Sequence, residues 1–579
     1  MCGIVGYVGR REAAPLLVQG LRRLEYRGYD SFGIATRDKD LLVLKHKGKI
    51  SDTVFVSNPL PGGLGIGHTR WATHGVPNDV NAHPHVDCTH NIAVVHNGVI
   101  ENYSELRKQL TARGHHFSSQ TDTEVIPHLI EENYEGDLLE AVRRTVAVLH
   151  GSYALLAIAQ DDDRVIAARE KSPLVLGIGD GEMLAASDMT PLLEHTERVV
   201  FLEDGDIASL SADHYEILRA GIPVTRPVEI VDWGVEDVKK GAFEHYMLKE
   251  IYEQPQVFYE TVRTATDESI VPLFKKVPGV TVVACGTSYH AGLVFKYLLE
   301  GMCSIPVRVE LASEFKYFTP PIRDLVVAVT QSGETADTLA ALRKAKAHNC
   351  MTLAVTNVQG STVTRIADQT IFTRAGPEIG VAATKSFTAQ LAVFMQVANL
   401  LCDRELDEVL SRGHLAISEV FLMDLGKAVT LCKDAGLIFF VGRGPFYPVA
   451  LEGALKMKEI SYIPAEGYAA GELKHGPFAL LTPETPVVAI CTPGNTYDVM
   501  ISNIKEMKAR GAPMVGIGEE GDSELEEIVD VFVPLPRSPL AIRILTTSVV
   551  FQLLSYYTAK ALEREIDKPR NLAKSVTVE

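Results

Sequence analysis

Cys2 stands directly behind Met1 in the opening Met1-Cys-Gly-Ile-Val-Gly6, so removal of the methionine would put a thiol and a free α-amino group on one residue. An ordinary thiol, of pKa about 8.5, is only a few per cent thiolate at neutral pH, whereas a terminal amine of pKa about 7.7–8.0 is partly neutral there and accepts the thiol proton. The two groups together make a nucleophile with its own base. Gly3 favours methionine removal and close approach of a substrate, and the apolar run that follows reads as a buried strand that anchors the terminus.

Three polar knots further along could complete such a site: His68-Thr-Arg70-Trp71-Ala-Thr73-His74, Asn97-Gly98 and Thr121-Asp122-Thr-Glu124. Thiol attack on an amide develops an oxyanion, and a side-chain amide beside a glycine N–H supplies two donors for it. Asn97-Gly98 has that composition, and it is equally a favoured hairpin-turn pair. Arg70 and Asp122 have the charges to hold the carboxylate and amine of a free amino acid, or to pair with each other. His83, His85, His90 and His96 surround Cys88 and raise the question of a metal. Their spacing is not a helical i,i+4 pair, no carboxylate or thiolate pair completes a tetrahedral set, and strand-flanking histidines are commonly only hydrogen-bonded.

The second half carries different chemistry. Cys285-Gly-Thr287-Ser288 and Thr330-Gln331-Ser332-Gly-Glu-Thr335 each close an apolar strand and open a helix, a pattern that caps helices and also cradles phosphate through backbone N–H groups and hydroxyls. In Glu452-Gly-Ala-Leu-Lys456-Met-Lys-Glu459, helical spacing puts two carboxylates and an amine on one face. Such a pair is usually a solvated bridge; the apolar flanks VALEGALKMKEISYI point instead to burial, where a carboxylate could move a proton between adjacent carbons. His475 lies just downstream with the reach to open a sugar ring, and Lys574 sits in a tail that ordinarily frays.

The elements that must position these groups change character along the chain. Residues 2–225 are rich in short β-branched runs with Gly and Asp turns, interrupted by amphipathic helical stretches at Ala13–Leu24 and Tyr103–Arg113. Stacked antiparallel sheets with outer helices are expected there. A connector over 226–244, with Trp233 and Lys239–Lys240, leads into alternating strand and helix, the grammar of a parallel α/β sheet. That grammar occurs twice, giving subdomains at 245–425 and 426–565, and a tail at 566–579.

Composition narrows the function classes. At 579 residues two or three domains are expected, and 46% hydrophobic with 22% charged residues are globular values. A net charge of −18 speaks against nucleic acid and anionic membrane as partners, yet allows a phosphorylated small molecule held by local N–H groups. Eight scattered cysteines read as free thiols of a reducing compartment, no apolar run stands out as a membrane span, and a cytoplasmic enzyme is expected.

Two resemblances join these pieces. MCGIVGYVG, LRRLEYRGYDSFGIA, GHTRWATHG, HNGVIENY and SQTDTEV resemble the glutaminase domain of N-terminal-nucleophile amidotransferases over residues 1–225. The resemblance implies an Ntn-hydrolase type fold, Cys2 as the thiol that forms a γ-glutamyl thioester, and Asn97 with Gly98 as oxyanion hole. It further implies that Arg70, Thr73, His74 and Asp122 bind glutamine and that Trp71 gates the exit of ammonia. Phe32 departs from the small residue usual in this segment, which implies tighter packing behind the nucleophile.

GTSYHAG, QSGETADT, EIGVAATKSFTAQ, ALEGALKMKEISYI, GELKHGP and PRNLAKSVTVE resemble the sugar-isomerase domains of the glutamine–fructose-6-phosphate aminotransferase (isomerizing) family. That implies phosphate binding by Ser288, Gln331, Ser332 and Thr335, with Thr287 in the sugar site. It implies a Schiff base at Lys574, proton transfer by Glu459 supported by Lys456 and Glu452, and ring opening by His475 from the partner subunit of a homodimer. Glutamine and fructose 6-phosphate are the implied substrates, ammonia passes between them inside the protein, and no metal or organic cofactor is needed. Thr330 and Ala383 stand where the family often has serine; the hydroxyl survives in the first and is lost in the second. The rivals are an amidotransferase with another phosphosugar acceptor and a sugar-phosphate regulator whose glutaminase has decayed.

Overall fold

The computed structural model describes residues 2–50, 60–72, 74–231, 240–266, 268–317 and 323–577. The chain divides into two compact units, Met1–Lys239 with Ser575–Glu579, and Lys240–Lys574.

In the first unit the described strands form two antiparallel sheets. Gly3–Gly9 lies inside one, between Glu182–Ala186 and Leu64–Arg70; Ile92–Ile100 lies in the other, beside Gly151–Ala159. Alternation along Gly3–Gly9 explains the stacking. Ile4 and Val8 face a core shared with Ala93, Val95, Leu156 and Ile158 of the second sheet, while Val5 turns to the helix Ala13–Leu24. The opposite face of the second sheet, with Ile92, Val94 and Leu155, is covered by the helices Tyr103–Ala112, Val125–Asn133 and Leu138–Val146. The sequence reading missed the last two: Val125–Ile130 is buried throughout and so shows no polar stripe, whereas Leu138–Val146 does carry one, with Leu138, Ala141 and Val142 buried opposite Glu140, Arg143 and Arg144.

The second unit contains the expected repeat. One five-stranded sheet runs Val307–Leu311, Val280–Ala284, Leu325–Thr330, Thr352–Thr356, Gln369–Phe372. The other runs Ala465–Ala469, Ile438–Gly442, Val487–Ile490, Met514–Glu519, Val531–Leu535. Both are wholly parallel with the chain order 2-1-3-4-5. In this order the chain leaves the first strand to one side and then returns to the other, opening a crevice at the carboxyl ends of strands 1 and 3. Helices Gly286–Cys303 and Phe446–Ser461 follow the first strand of each repeat, at Gly286 (φ +53°) and Gly444 (φ +56°).

Two sequence readings are corrected here. Leu540–Ala561 is long and apolar enough to cross a membrane, although no such run stood out; Thr, Ser and Gln interrupt it, and 89% of its apolar window is buried inside the unit. Two of its hydroxyls bond back to the helix: Thr546 Oγ1 donates to the Ile542 carbonyl at 3.2 Å and Ser548 Oγ to the Ile544 carbonyl at 2.7 Å. Cys303 and Cys402, read as free thiols, form a disulfide. They end the helices Gly286–Cys303 and Lys385–Leu401, whose packing brings together residues 99 apart in sequence, a pairing that no local spacing reveals.

Candidate active sites

Cys2 emerges one residue before the register pair Gly3–Thr69, which sets its thiol beside the end of Leu64–Arg70. Trp71 N–H donates to Cys2 Sγ at 3.2 Å, and Asn97 Nδ2 donates to the Cys2 carbonyl at 3.0 Å. Gly3 has no room for a side chain: a Cβ would lie 2.5 Å from Leu24 Cβ. Burial pushes the Cys2 thiol up, against the opposing pull of the Trp71 N–H and the Arg70 charge. A thiol so placed needs a base to ionise it.

Asn97 and Gly98 lie within the strand Ile92–Ile100, which excludes the hairpin-turn reading. Gly98 adopts φ +132°, and a Cβ there would stand 2.0 Å from the Ser152 carbonyl oxygen. Asn97 Oδ1 is buried without a hydrogen-bond partner among the described residues. His68 Nε2 meets the His96 carbonyl at 3.1 Å and so ties the strand carrying Arg70 to the strand carrying Asn97. Burial, with Arg70 and His96 nearby, holds His68 down to about 3; it is neutral and donates from Nε2.

Arg70 is 3% exposed, donates to the His74 carbonyl and to the Gly75 carbonyl at 3.2 Å, and keeps Nη1 unpartnered among the described residues. Asp122 Oδ2 accepts from Ile100 N–H at 2.8 Å while its Oδ1 lies 4.0 Å from His74 Nδ1. A buried cation with a free N–H and a buried carboxylate therefore flank the thiol, and both bear on its titration. Trp71 packs edge-on against Tyr29 at 5.9 Å. Phe32 is fully buried in register with Thr69. Thr73 lies outside the described residues.

The histidines resolve differently from the metal reading. His68 stacks on His83 at 4.0 Å, His83 meets His85 at 4.7 Å, and Thr121 and Thr123 hydroxyls lie 3.0 and 2.9 Å from His85 and His96. Burial lowers the pKa of each of these rings, which makes the group a neutral hydrogen-bonded core. Cys88 is not part of it.

In the second unit the crevice at the carboxyl ends of Val280–Ala284 and Leu325–Thr330 is lined by both Ser/Thr turns. Ser288 Oγ accepts from Gln390 Nε2 at 3.0 Å. Thr330 and Thr335 hydroxyls lie 3.0 Å apart, Ser332 Oγ accepts from Glu334 N–H at 3.2 Å, and the Gln331 carbonyl accepts from Asn357 N–H at 3.1 Å. Gly333, at φ +70°, passes so close to Ser361 that a Cβ would fall 2.0 Å from its Oγ. In the second repeat a pocket at the carboxyl ends of Val487–Ile490 and Met514–Glu519 is lined by Asp498, Glu519, Glu520 and Asp522 together with Arg537.

Beside the first crevice stands a buried ionic cluster. Glu452, 2% exposed, accepts from the Thr287 hydroxyl at 3.0 Å and meets His290 Nδ1 at 2.8 Å. Lys456, 1% exposed, reaches Thr287 Oγ1 at 3.2 Å, Glu452 at 3.5 Å and Glu459 at 2.5 Å. Burial alone lowers the Lys456 pKa, yet Glu459 and Glu452 outweigh it and hold it above the ordinary value. The burial that the apolar flanks pointed to is found for Glu452 and Lys456, with Glu459 half-buried beside them.

Lys574 donates to the Gly380 carbonyl at 2.8 Å and to the Glu378 carboxylate. Glu378 also accepts from Ser386 and Thr384 N–H, and these contacts with Lys574 overcome burial to hold it down at about 2. Glu250, packed against Gly380, is pushed up to about 8 by burial and by the Glu378 charge. Neither acid nor His290 was singled out from the sequence; Glu378 lies within EIGVAATKSFTAQ, where an acid ahead of a glycine carried no spacing signal. His475 is exposed on the short helical turn Ala470–His475, and the described hydrogen bonds and ion pairs do not join it to Glu452, Lys456 or Lys574.

A thiol beside Asn97 and a buried cation in stacked antiparallel sheets, ahead of two parallel sheets with a hydroxyl-lined crevice, define a glutamine amidotransferase joined to SIS domains. The glutamine amidotransferase domain model matches residues 68–194, and the SIS domain model matches twice, over 273–400 and 432–561. Glutamine–fructose-6-phosphate aminotransferases (isomerizing) of Pyrococcus horikoshii and Symbiobacterium thermophilum are 47% and 48% identical to the chain over the full length of both partners. The C-terminal domain of glucosamine-fructose-6-phosphate aminotransferase from Francisella tularensis superimposes with a TM-score of 0.52 at 35% identity, covering 57% of this chain and 99% of that one. The chain belongs to the glutamine–fructose-6-phosphate aminotransferase (isomerizing) family.

Proposed function

We propose that the chain converts fructose 6-phosphate and glutamine to glucosamine 6-phosphate and glutamate, the entry step of amino-sugar synthesis toward UDP-N-acetylglucosamine. The observation that carries this reading is the coexistence in one chain of Cys2 beside Asn97 and of Lys574 in a buried carboxylate pocket.

Cys2 Sγ attacks the side-chain amide of glutamine, its proton passing to the α-amine, while Asn97 and Gly98 N–H groups stabilise the oxyanion. Arg70 Nη1 takes the glutamine carboxylate and Asp122 its ammonium, with Thr73 and His74 beside them. The C–N bond breaks, ammonia leaves past Trp71, and water hydrolyses the thioester to glutamate.

In the second unit Ser288, Gln331, Ser332 and Thr335 hold the phosphate, and His475, from the partner subunit of a homodimer, opens the ring. Lys574 condenses with the C2 carbonyl, losing water; ammonia then displaces the amine, and Glu459 moves a proton from C1 to C2. Thr287, Glu452 and Lys456 hold that carboxylate in place. Ammonia in water is mostly protonated and without its lone pair, which supports transfer without release to solvent. Six free thiols, set against the one Cys303–Cys402 disulfide, support a cytoplasmic location, and the net charge argues against nucleic acid or anionic membrane as partners.

Purified protein given glutamine and fructose 6-phosphate forms hexosamine phosphate on this reading. Glutamate without hexosamine phosphate would point to another acceptor, and sugar-phosphate binding without glutamate to a regulator.

A further inference from the structure

Four side chains outside both sites converge on one point. Cys88 lies in the loop between His85–Val86 and Ile92–Ile100, His115 follows the helix Tyr103–Ala112, and His128 and Glu131 are one turn apart on Val125–Asn133. Cys88 Sγ lies 3.6 Å from His115 Nδ1 and 3.5 Å from His128 Nδ1, and the two Nδ1 atoms are 3.3 Å apart. Glu131 Oε2 lies 3.1 Å from His115 Nδ1 and 3.5 Å from His128 Nδ1. These are edges of a tetrahedron. An ion with bonds of about 2.3 Å to sulfur and about 2.0–2.1 Å to nitrogen or oxygen requires ligand separations of about 3.3–3.6 Å.

The surroundings fit as well. Glu132 Oε1 lies 3.4 Å from His115 Nε2, the carboxylate partner that keeps the proton on Nε2 and turns the Nδ1 lone pair inward. Cys88 N–H donates to Glu131 Oε2 at 3.1 Å and steadies that carboxylate. His128 is buried against Phe117, whereas Cys88 is exposed and leaves a path of entry. Without a cation, four atoms that all carry lone pairs would face one another with few protons to share.

We propose that Cys88, His115, His128 and Glu131 bind one Zn²⁺ as a closed structural site. The thiol loses its proton on binding, so affinity rises with pH. The ion would clip the helix Val125–Asn133 to the loop before Ile92–Ile100, and so brace the segment carrying Asp122.

The test uses the full chain with zinc alone as probe. After incubation with micromolar zinc and gel filtration, one equivalent is expected per chain by elemental analysis, and none in Cys88→Ser or His115→Ala. His116→Ala, a neighbour whose side chain is not in the set, keeps the ion. Cobalt substitution gives tetrahedral d–d bands with a thiolate charge-transfer band that Cys88→Ser lacks. Glu132→Gln weakens zinc about 10–100-fold without changing the ligand count. Because Cys88 and Glu132 are not fully buried, these variants fold, and circular dichroism verifies it. A wild-type chain that retains no zinc overturns the proposal, as does an equivalent of zinc that survives both ligand substitutions.

Discussion

At the scale of single residues, the proposed nucleophile Cys2 lies among buried polar atoms that its neighbours leave unpaired. Asn97 Oδ1 and Arg70 Nη1 are buried polar atoms without partners among the described residues, an arrangement that costs stability unless a ligand completes it. Cys2→Ala should abolish glutamine-dependent synthesis in a coupled assay while fructose 6-phosphate still binds; synthesis that persists with glutamine would remove the thiol from the mechanism. Asn97→Ala should lower kcat for glutamine hydrolysis by about 10²–10³, with KM nearly unchanged. Gly98→Ala acts through the backbone, because φ +132° and the Ser152 carbonyl at 2.0 Å exclude a side chain. It should cost at least about 1–3 kcal/mol in urea unfolding, and an unchanged midpoint would contradict the strand geometry.

At the scale of elements, the helix Phe446–Ser461 does what its spacing and its apolar flanks foreshadowed. Glu452, Lys456 and Glu459 share a face, as i,i+4 and i,i+3 require, but that face packs toward Thr287 and His290 and not toward water. Lys456→Met leaves Glu452 without its cation and should destabilise the unit by about 3–5 kcal/mol, read by denaturant unfolding. Glu250 and Glu378 give a pH signature of opposite signs. Glu378, held down at about 2, contributes stability present above the ordinary carboxylate range and lost as pH falls toward 2. Glu250, raised to about 8, stays protonated in the fold where the unfolded chain is ionised, so it loses stability as pH rises from its ordinary value to about 8. Glu250→Gln mimics the protonated form. Its stability relative to the parent should grow across that window and level off above it, as thermal unfolding at pH 5 and pH 8.5 will show.

At the scale of the whole molecule, the two sheets share the strand order 2-1-3-4-5 but carry different residues at their carboxyl ends, hydroxyls in the first and, beside strands 3 and 4 of the second, mostly carboxylates. His475, exposed and not joined to the Glu452–Lys456 cluster of its own chain, is the residue for which a role across subunits is proposed. Reassembling Lys574→Ala with His475→Ala subunits creates one intact site per mixed dimer if His475 acts across subunits, and none if it acts within its own. Random mixing should then restore about a quarter of wild-type synthesis; no recovery would place the histidine in its own subunit's site. By itself the sequence determined the antiparallel and repeated parallel sheets, the helices that follow their first strands, and the identities at Cys2, Asn97 and the two Ser/Thr turns. Those rest on local periodicity and on chemistry that one or a few adjacent residues carry. Only the tertiary structure decided that Asn97-Gly98 is strand and not turn, that Glu378 and Glu250 surround Lys574, that Cys303 meets Cys402, and that Cys88 leaves its neighbouring histidines for His115 and His128. Each of those depends on which distant segments pack together, and burial, not spacing, then sets the charge and the partners a side chain keeps.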